Sequence, residues 1–225
     1  KRTTKKVNNY EHDSKMKEVI PFKKCEKILT SKEPYLHKLC DYKVISSYNS
    51  LLVGNQKRDY LSLEMFKKVL NTGTRYIEFE INQSNLTDLA EPVVGTGQLV
   101  GNWSLSLNSF KLDEVLKIIN THAFSNNMNH PLIIYLKFNS HKKYLINQVG
   151  DRFNCILGRR LINTKKYKIN SISRENMCSL SNKIIVLSSL DDPQLSETEF
   201  ENIVISSHTN LIKRIHHSEI PKYVP

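Results

Sequence analysis

From residue 42 onward the chain alternates short apolar runs with segments whose apolar residues recur every three to four positions. Residues 42–53 read as a first strand running into a polar loop. Residues 61–70 place Leu63, Phe66, Val69 and Leu70 on one helical face, and Gly73 stops that helix. Residues 74–81 read as a second strand and 92–95 as a short third one. Residues 112–124 carry Leu112, Val115, Leu116 and Ile119 at helical spacing. The run PLIIYLKF over 131–138 is almost wholly apolar at strand length, as expected of a strand covered on both faces. Residues 144–157 read as a helix interrupted by Gly150, and KIIVLSSL over 183–190 as another buried strand. An acidic stretch from Asp191 to Glu201 breaks the pattern and reads as an exposed linker. Residues 201–207 begin a further strand.

Strands alternating with helices predict a parallel α/β fold. Five strands and a sixth, each with its helix, amount to most of a barrel or an open sheet. An eight-stranded barrel needs more strands than these to close.

Composition narrows the class. A chain of 225 residues suits one domain, and 39% hydrophobic residues argues against disorder. No run approaches the roughly 18 apolar residues of a membrane span, and no leader pattern is visible. The first residue is Lys1 rather than a methionine, which keeps a processed product or an excised piece in view. Cys25, Cys40, Cys155 and Cys178 lack metal or disulfide spacing and read as reduced thiols in a cytoplasmic protein.

The net charge of +11 predicts attraction to anionic partners. Residues 1–38 form a basic extension carrying Lys1, Arg2, Lys5, Lys6, Lys15, Lys17, Lys23, Lys24 and Lys27. It reads as a solvated tail or as a peripheral contact with an anionic membrane. No zinc pattern, RNA-binding aromatic motif or helix-turn-helix points to nucleic acid.

The stretch Ile45-Ser46-Ser47-Tyr48-Asn49-Ser50-Leu51-Leu52-Val53-Gly54-Asn55-Gln56 resembles I-S-S-S-H-N-T-Y-L-x-G-x-Q, the signature opening the catalytic barrel of eukaryotic phosphoinositide-specific phospholipases C. Further matches follow in order. Gly73-Thr74-Arg75-Tyr76-Ile77-Glu78-Phe79-Glu80 resembles G-C-R-C-x-E-L-D, and Glu91-Pro92-Val93-Val94-Gly95-Thr96-Gly97 resembles E-P-V-V-Y-H-G. His130-Pro131-Leu132-Ile133-Ile134-Tyr135-Leu136 resembles Y-P-V-I-L-S-L, and residues 180–189 resemble the strand L-K-x-K-I-L-x-K-x-K. The resemblance implies an incomplete TIM-type (β/α) barrel: an X-like region over 39–190, an acidic linker over 191–200, and the start of a Y-like region over 201–225.

In that family two histidines move protons, a calcium ion stabilises the phosphate charge, and lysines hold the inositol phosphates. Tyr48 and Thr96 stand at the histidine positions. A phenol is protonated at neutral pH and a threonine hydroxyl does not titrate, so both proton shuttles are missing. The resemblance carries the calcium ligands onto Asn49, Glu78 and Glu80, while the fourth position holds Lys137. An ammonium and calcium repel, so Lys137 is expected to neutralise Glu78 and Glu80 in place of a metal, with no cofactor bound. Of the substrate lysines only Lys183 remains, because Leu187 and Ser189 occupy the later positions.

Asn49 equally suits a loop hydrogen bond, and Glu78 and Glu80 a polar cluster with Arg75 or Lys137. His122, His130, His141 and the pair His216-His217 read as boundary or surface residues. The resemblance thus implies a degenerate, non-catalytic scaffold in phosphoinositide signalling. Its partners would be an anionic phospholipid or inositol phosphate, and a protein or the rest of a barrel. Two alternatives stay open: a divergent phosphodiesterase using Glu78 or Glu80 as base, and an adaptor binding proteins or anionic surfaces.

Overall fold

The computed structural model describes residues 38–42, 44–53, 59–85, 90–98, 103–104, 106–125, 128–165 and 172–205. Nearly all of the basic extension, His216-His217 and residues 206–225 lie outside them. Strands β1 (Ser46–Ser47), β2 (Tyr76–Gln83), β7 (Leu132–Phe138), β8 (Ile184–Ser188) and β9 (Val204–Ile205) run parallel, with β2, β7, β8 and β9 in successive places and β1 beside the start of β2. Strands β3 (Pro92–Val94) and β6 (Phe110–Lys111) join antiparallel beside the end of β2. A separate hairpin pairs β4 (Gly97–Gln98) with β5 (Trp103–Ser104). Helices α1 (Leu63–Asn71), α2 (Leu112–His122) and α3 (Lys143–Leu157) alternate with the strands, as the sequence pattern predicts. Strands β1 and β9 do not pair with each other, so the barrel is not closed among the described residues. No helix among these residues is long and apolar enough to cross a membrane.

Period-two alternation divides β2 and β7 between two cores. Ile77, Phe79, Ile81, Leu132, Ile134, Leu136 and Phe138 face the helices and pack with Phe66, Leu70, Val115, Leu116, Ile119 and Phe153. Ile133, Ile185, Leu187 and Ile205 face the other way, onto Leu39, Ile162, Ile172, Met177 and Leu180, with Tyr76 and Tyr135 packed alongside. Two apolar faces explain the unbroken run in β7. On the second face, toward the strand ends, the apolar sequence gives way to Glu78, Glu80 and Lys137.

Two sequence expectations change. The first strand shrinks to Ser46–Ser47, because Asn49 takes a left-handed conformation (φ 44°) and turns the chain. Leu51 and Leu52 are then buried from a loop, held where Ser62 N donates to Leu51 O at 2.8 Å and Val53 N to Tyr60 O at 3.0 Å. The acidic stretch is not an exposed linker. It forms a short helix α4 (Asp192–Leu195) and a 3-10 turn (Glu199–Asn202). Its carboxylates face solvent while Leu195, Thr198 and Phe200 are buried. The Phe200 ring lies 5.5 Å from that of Phe138 and 6.1 Å from that of Phe153.

Candidate functional site

The register of β1 on β2 pairs Ser46 with Tyr76 and Ser47 with Ile77, so the chain leaving β1 passes alongside Glu78. Ser50 fastens it there: its N–H donates to Glu78 O at 3.0 Å, and its Oγ accepts from Glu78 N at 3.3 Å. Tyr48 points outward, 55% exposed. Asn49 beside it is buried, and its Oδ1 has no hydrogen-bond partner among the described residues.

Glu80 is the centre of the arrangement. It pairs across the β2–β7 ladder with Lys137, whose Nζ lies 3.1 Å from Glu80 Oε1. Glu80 Oε2 accepts two further donors, the Gly97 N–H at 3.0 Å and Asn139 Nδ2 at 2.8 Å. Asn139 Nδ2 also donates to Asn82 Oδ1 at 3.1 Å, and Asn82 Nδ2 to Gly95 O at 2.9 Å. One carboxylate, 3% exposed, therefore ties β2, the turn between β3 and β4, and the end of β7. Thr96 sits in that turn, buried, with its N–H donating to Ser106 Oγ at 2.9 Å and its carbonyl accepting from Ser106 N at 3.1 Å.

The structure thus gathers Asn49, Glu78, Glu80, Thr96 and Lys137 at the carboxyl ends of the parallel strands, the end at which barrel enzymes carry their sites. It does not bring Lys183 there. Lys183 precedes the first residue of β8, and its Nζ donates to Arg159 O at 3.2 Å, at the opposite end of the sheet. Leu187 is buried in the inner core, and Ser189 Oγ accepts from Phe138 N at 2.9 Å. Arg75 also lies at the opposite end, where it donates to Ala123 O at 2.6 Å and Leu70 O at 3.3 Å, the carbonyls closing α2 and α1. It therefore serves the negative ends of two helices.

Sequence reasoning missed Asn139 and the Gly97 N–H. Asn139 was within reach, because it follows Lys137 by two residues and so shares its face. The Gly97 contact depends on how the β3–β4 turn folds back, and no local pattern carries it.

The family model for phosphatidylinositol-specific phospholipase C, X domain, matches residues 35–189. The chain belongs to this family. Solved structures agree on the fold of the X domain: PLC21 of S. officinalis and of L. pealei each superpose with a TM-score of 0.54 at 17% identity, over 83% of this chain and 25% of theirs. The calcium-dependent phosphoinositol-specific phospholipase C of a Pseudomonas species gives 0.57 at 10% identity, over 78% of this chain and 68% of that one. The chain spans about a quarter of the length of the two PLC21 proteins. No curated protein matches it.

The residues present do not fit the calcium that the family implies. A hard cation needs carboxylate lone pairs free to turn toward it. At Glu80 both oxygens already receive N–H donors, and the Lys137 ammonium stands beside the carboxylate. In this X domain the arrangement makes a neutralised structural junction. Thr96 brings a buried hydroxyl and Tyr48 an exposed phenol to the two positions discussed above.

Proposed function

We propose that this X domain is a non-catalytic, phospholipase C-like scaffold that associates with anionic phosphoinositide surfaces at the cytoplasmic face of a membrane. The observation that carries the reading is the saturation of Glu80 by Lys137, Gly97 and Asn139. The Pseudomonas relative is a calcium-dependent enzyme, and here an ammonium takes the place where such an ion would be held. Loss of both histidines at Tyr48 and Thr96 removes the acid and the base as well. The same saturation argues against Glu80 as the base of a divergent phosphodiesterase. Glu78 is then the residue through which that alternative is tested, and hydrolysis unchanged in Glu78→Gln would dismiss it.

Attraction to lipid comes from the net charge of +11. Each basic residue close to an anionic leaflet contributes about 1 kcal/mol, screened within a Debye length. The deciding assay incubates the full chain with vesicles containing phosphatidylinositol bisphosphate, with calcium or with chelator. The expected result is sedimentation with the vesicles that weakens as salt rises, and no inositol trisphosphate above a protein-free control. Calcium-dependent release at the rate of an active relative would overturn the non-catalytic reading. Binding indifferent to lipid charge and salt would overturn the electrostatic one.

A further inference from the structure

Glu80 leaves one oxygen on which the identity of a cation can be decided. Oε2 already receives the Gly97 N–H and the Asn139 amide at 3.0 and 2.8 Å. Oε1 is held by Lys137 at 3.1 Å. The β2–β7 register sets residues 80 and 137 directly side by side, and neighbouring strands lie about 4.8 Å apart. Whatever charge stands at 137 must therefore interact with Glu80. Glu78, also buried, precedes Glu80 by two residues on the same strand face. Asn49 precedes Ser50, which is hydrogen-bonded to Glu78, and its buried Oδ1 has no donor among the described residues.

We propose that the Lys137 ammonium is the resident cation of this corner, a tethered substitute for a divalent ion, and that the charge at position 137 decides, through Glu80 Oε1, whether the corner takes a metal. The inference concerns metal occupancy and does not depend on whether the chain hydrolyses lipid. A tethered ammonium neutralises Glu80 at any free metal concentration, so the native junction is indifferent to chelators. A carboxylate at 137 would face Glu80 across the ladder, with Glu78 on the same strand face as Glu80. That is an oxygen-only donor set of the kind calcium selects, and without a cation it would repel itself.

The test uses the full chain, freed of metal with chelator, followed by thermal unfolding and calorimetric calcium titration. The native chain is expected to melt at the same temperature with chelator and with millimolar calcium, and to give no binding heat. Lys137→Glu is expected to melt several degrees lower in chelator. It should recover that loss with calcium, and not with sodium chloride of equal ionic strength. A native chain stabilised by calcium, or a folded Lys137→Glu chain indifferent to it, overturns the proposal. If Lys137→Glu does not fold with or without calcium, Lys137→Met decides. It keeps the apolar stem and removes the charge, so it should melt below the native chain in chelator, and equal melting temperatures overturn the proposal.

Discussion

A β-carbon on Gly150 would lie 2.7 Å from the backbone nitrogen of Phe200 and 2.9 Å from the carbonyl carbon of Glu199. The glycine that interrupts α3 is thus the place where the 3-10 turn at Glu199–Asn202 presses against the helix. Exchanging a mid-helix glycine for alanine ordinarily gains about 1 kcal/mol of helix propensity. Here the atoms met are backbone, which cannot rotate aside, and overpacking costs about 1–3 kcal/mol. Gly150→Ala is expected to lower the urea unfolding free energy, net, by about 1 kcal/mol. A variant as stable as the native chain would mean that the turn can lift away without loss.

Arg75 gives a second prediction. It is buried, it donates to the closing carbonyls of α1 and α2, and its guanidinium lies 6.0 Å from the Phe124 ring centroid. Leu70 O would keep the Gly73 N–H at 3.4 Å, but Arg75→Met would take the arginine donor from Ala123 O while keeping apolar bulk, and an unsatisfied buried group costs about 1–3 kcal/mol. A loss of about 2 kcal/mol in chemical denaturation is expected. A loss below about 1 kcal/mol would show that water or neighbouring donors serve those helix ends.

Periodicity made the helices and the long strands legible. Leu112, Val115, Leu116 and Ile119 all prove buried on one face of α2, and the apolar run at 131–138 proves to be the strand buried on both sides. The errors share a cause. Leu51–Val53 looked like strand because apolar character does not say whether a residue is buried from a strand or from a loop. The stretch after Asp191 looked like linker because its many carboxylates outweigh Leu195 and Phe200 in composition, although those two residues fix it to the core. At the site, Glu80 and Lys137 were legible as partners because each sits at a family position. The commitment of Glu80 Oε2 was not, since it depends on a turn folding back from Gly97, 17 residues on.

The pH dependence of stability should carry the mark of His130. Burial, and then the Arg75 charge beside it, hold its imidazole below the ordinary histidine value of 6.5. Its buried Nε2 has no hydrogen-bond partner among the described residues. A base whose pKa is lower when folded binds more protons in the unfolded chain at mildly acid pH, so stability rises with pH across that window. The contribution is complete above about pH 6.5 and is lost as pH falls through the folded value. Urea midpoints at pH 7.5 and 5.5 (roughly one unit either side of the ordinary histidine value) should differ more for the native chain than for His130→Asn. Equal differences in the two proteins would assign the slope to other groups.

Two lysine–glutamate pairs of nearly equal length separate burial from proximity. Lys143 Nζ lies 3.0 Å from Glu197, with side chains 58% and 82% exposed; Lys137 Nζ lies 3.1 Å from Glu80, with side chains 38% and 3% exposed. The exposed pair trades hydrated ions for a screened contact, so Glu197→Gln should change stability by no more than about 0.5 kcal/mol. Glu80→Gln removes a buried charge that three donors solvate, and one amide oxygen must then serve Gly97, Asn139 and Lys137 together. Breaking a fully buried pair costs about 3–5 kcal/mol. Lys137 can still turn its ammonium to water, so about 2 kcal/mol is the expected loss. Denaturation at low and high salt completes the comparison: Glu197→Gln should approach the native chain still more closely as salt rises, and Glu80→Gln should keep most of its deficit. If the two variants were equally mild at both salt concentrations, Glu80 would not be the junction of β2, β7 and the β3–β4 turn.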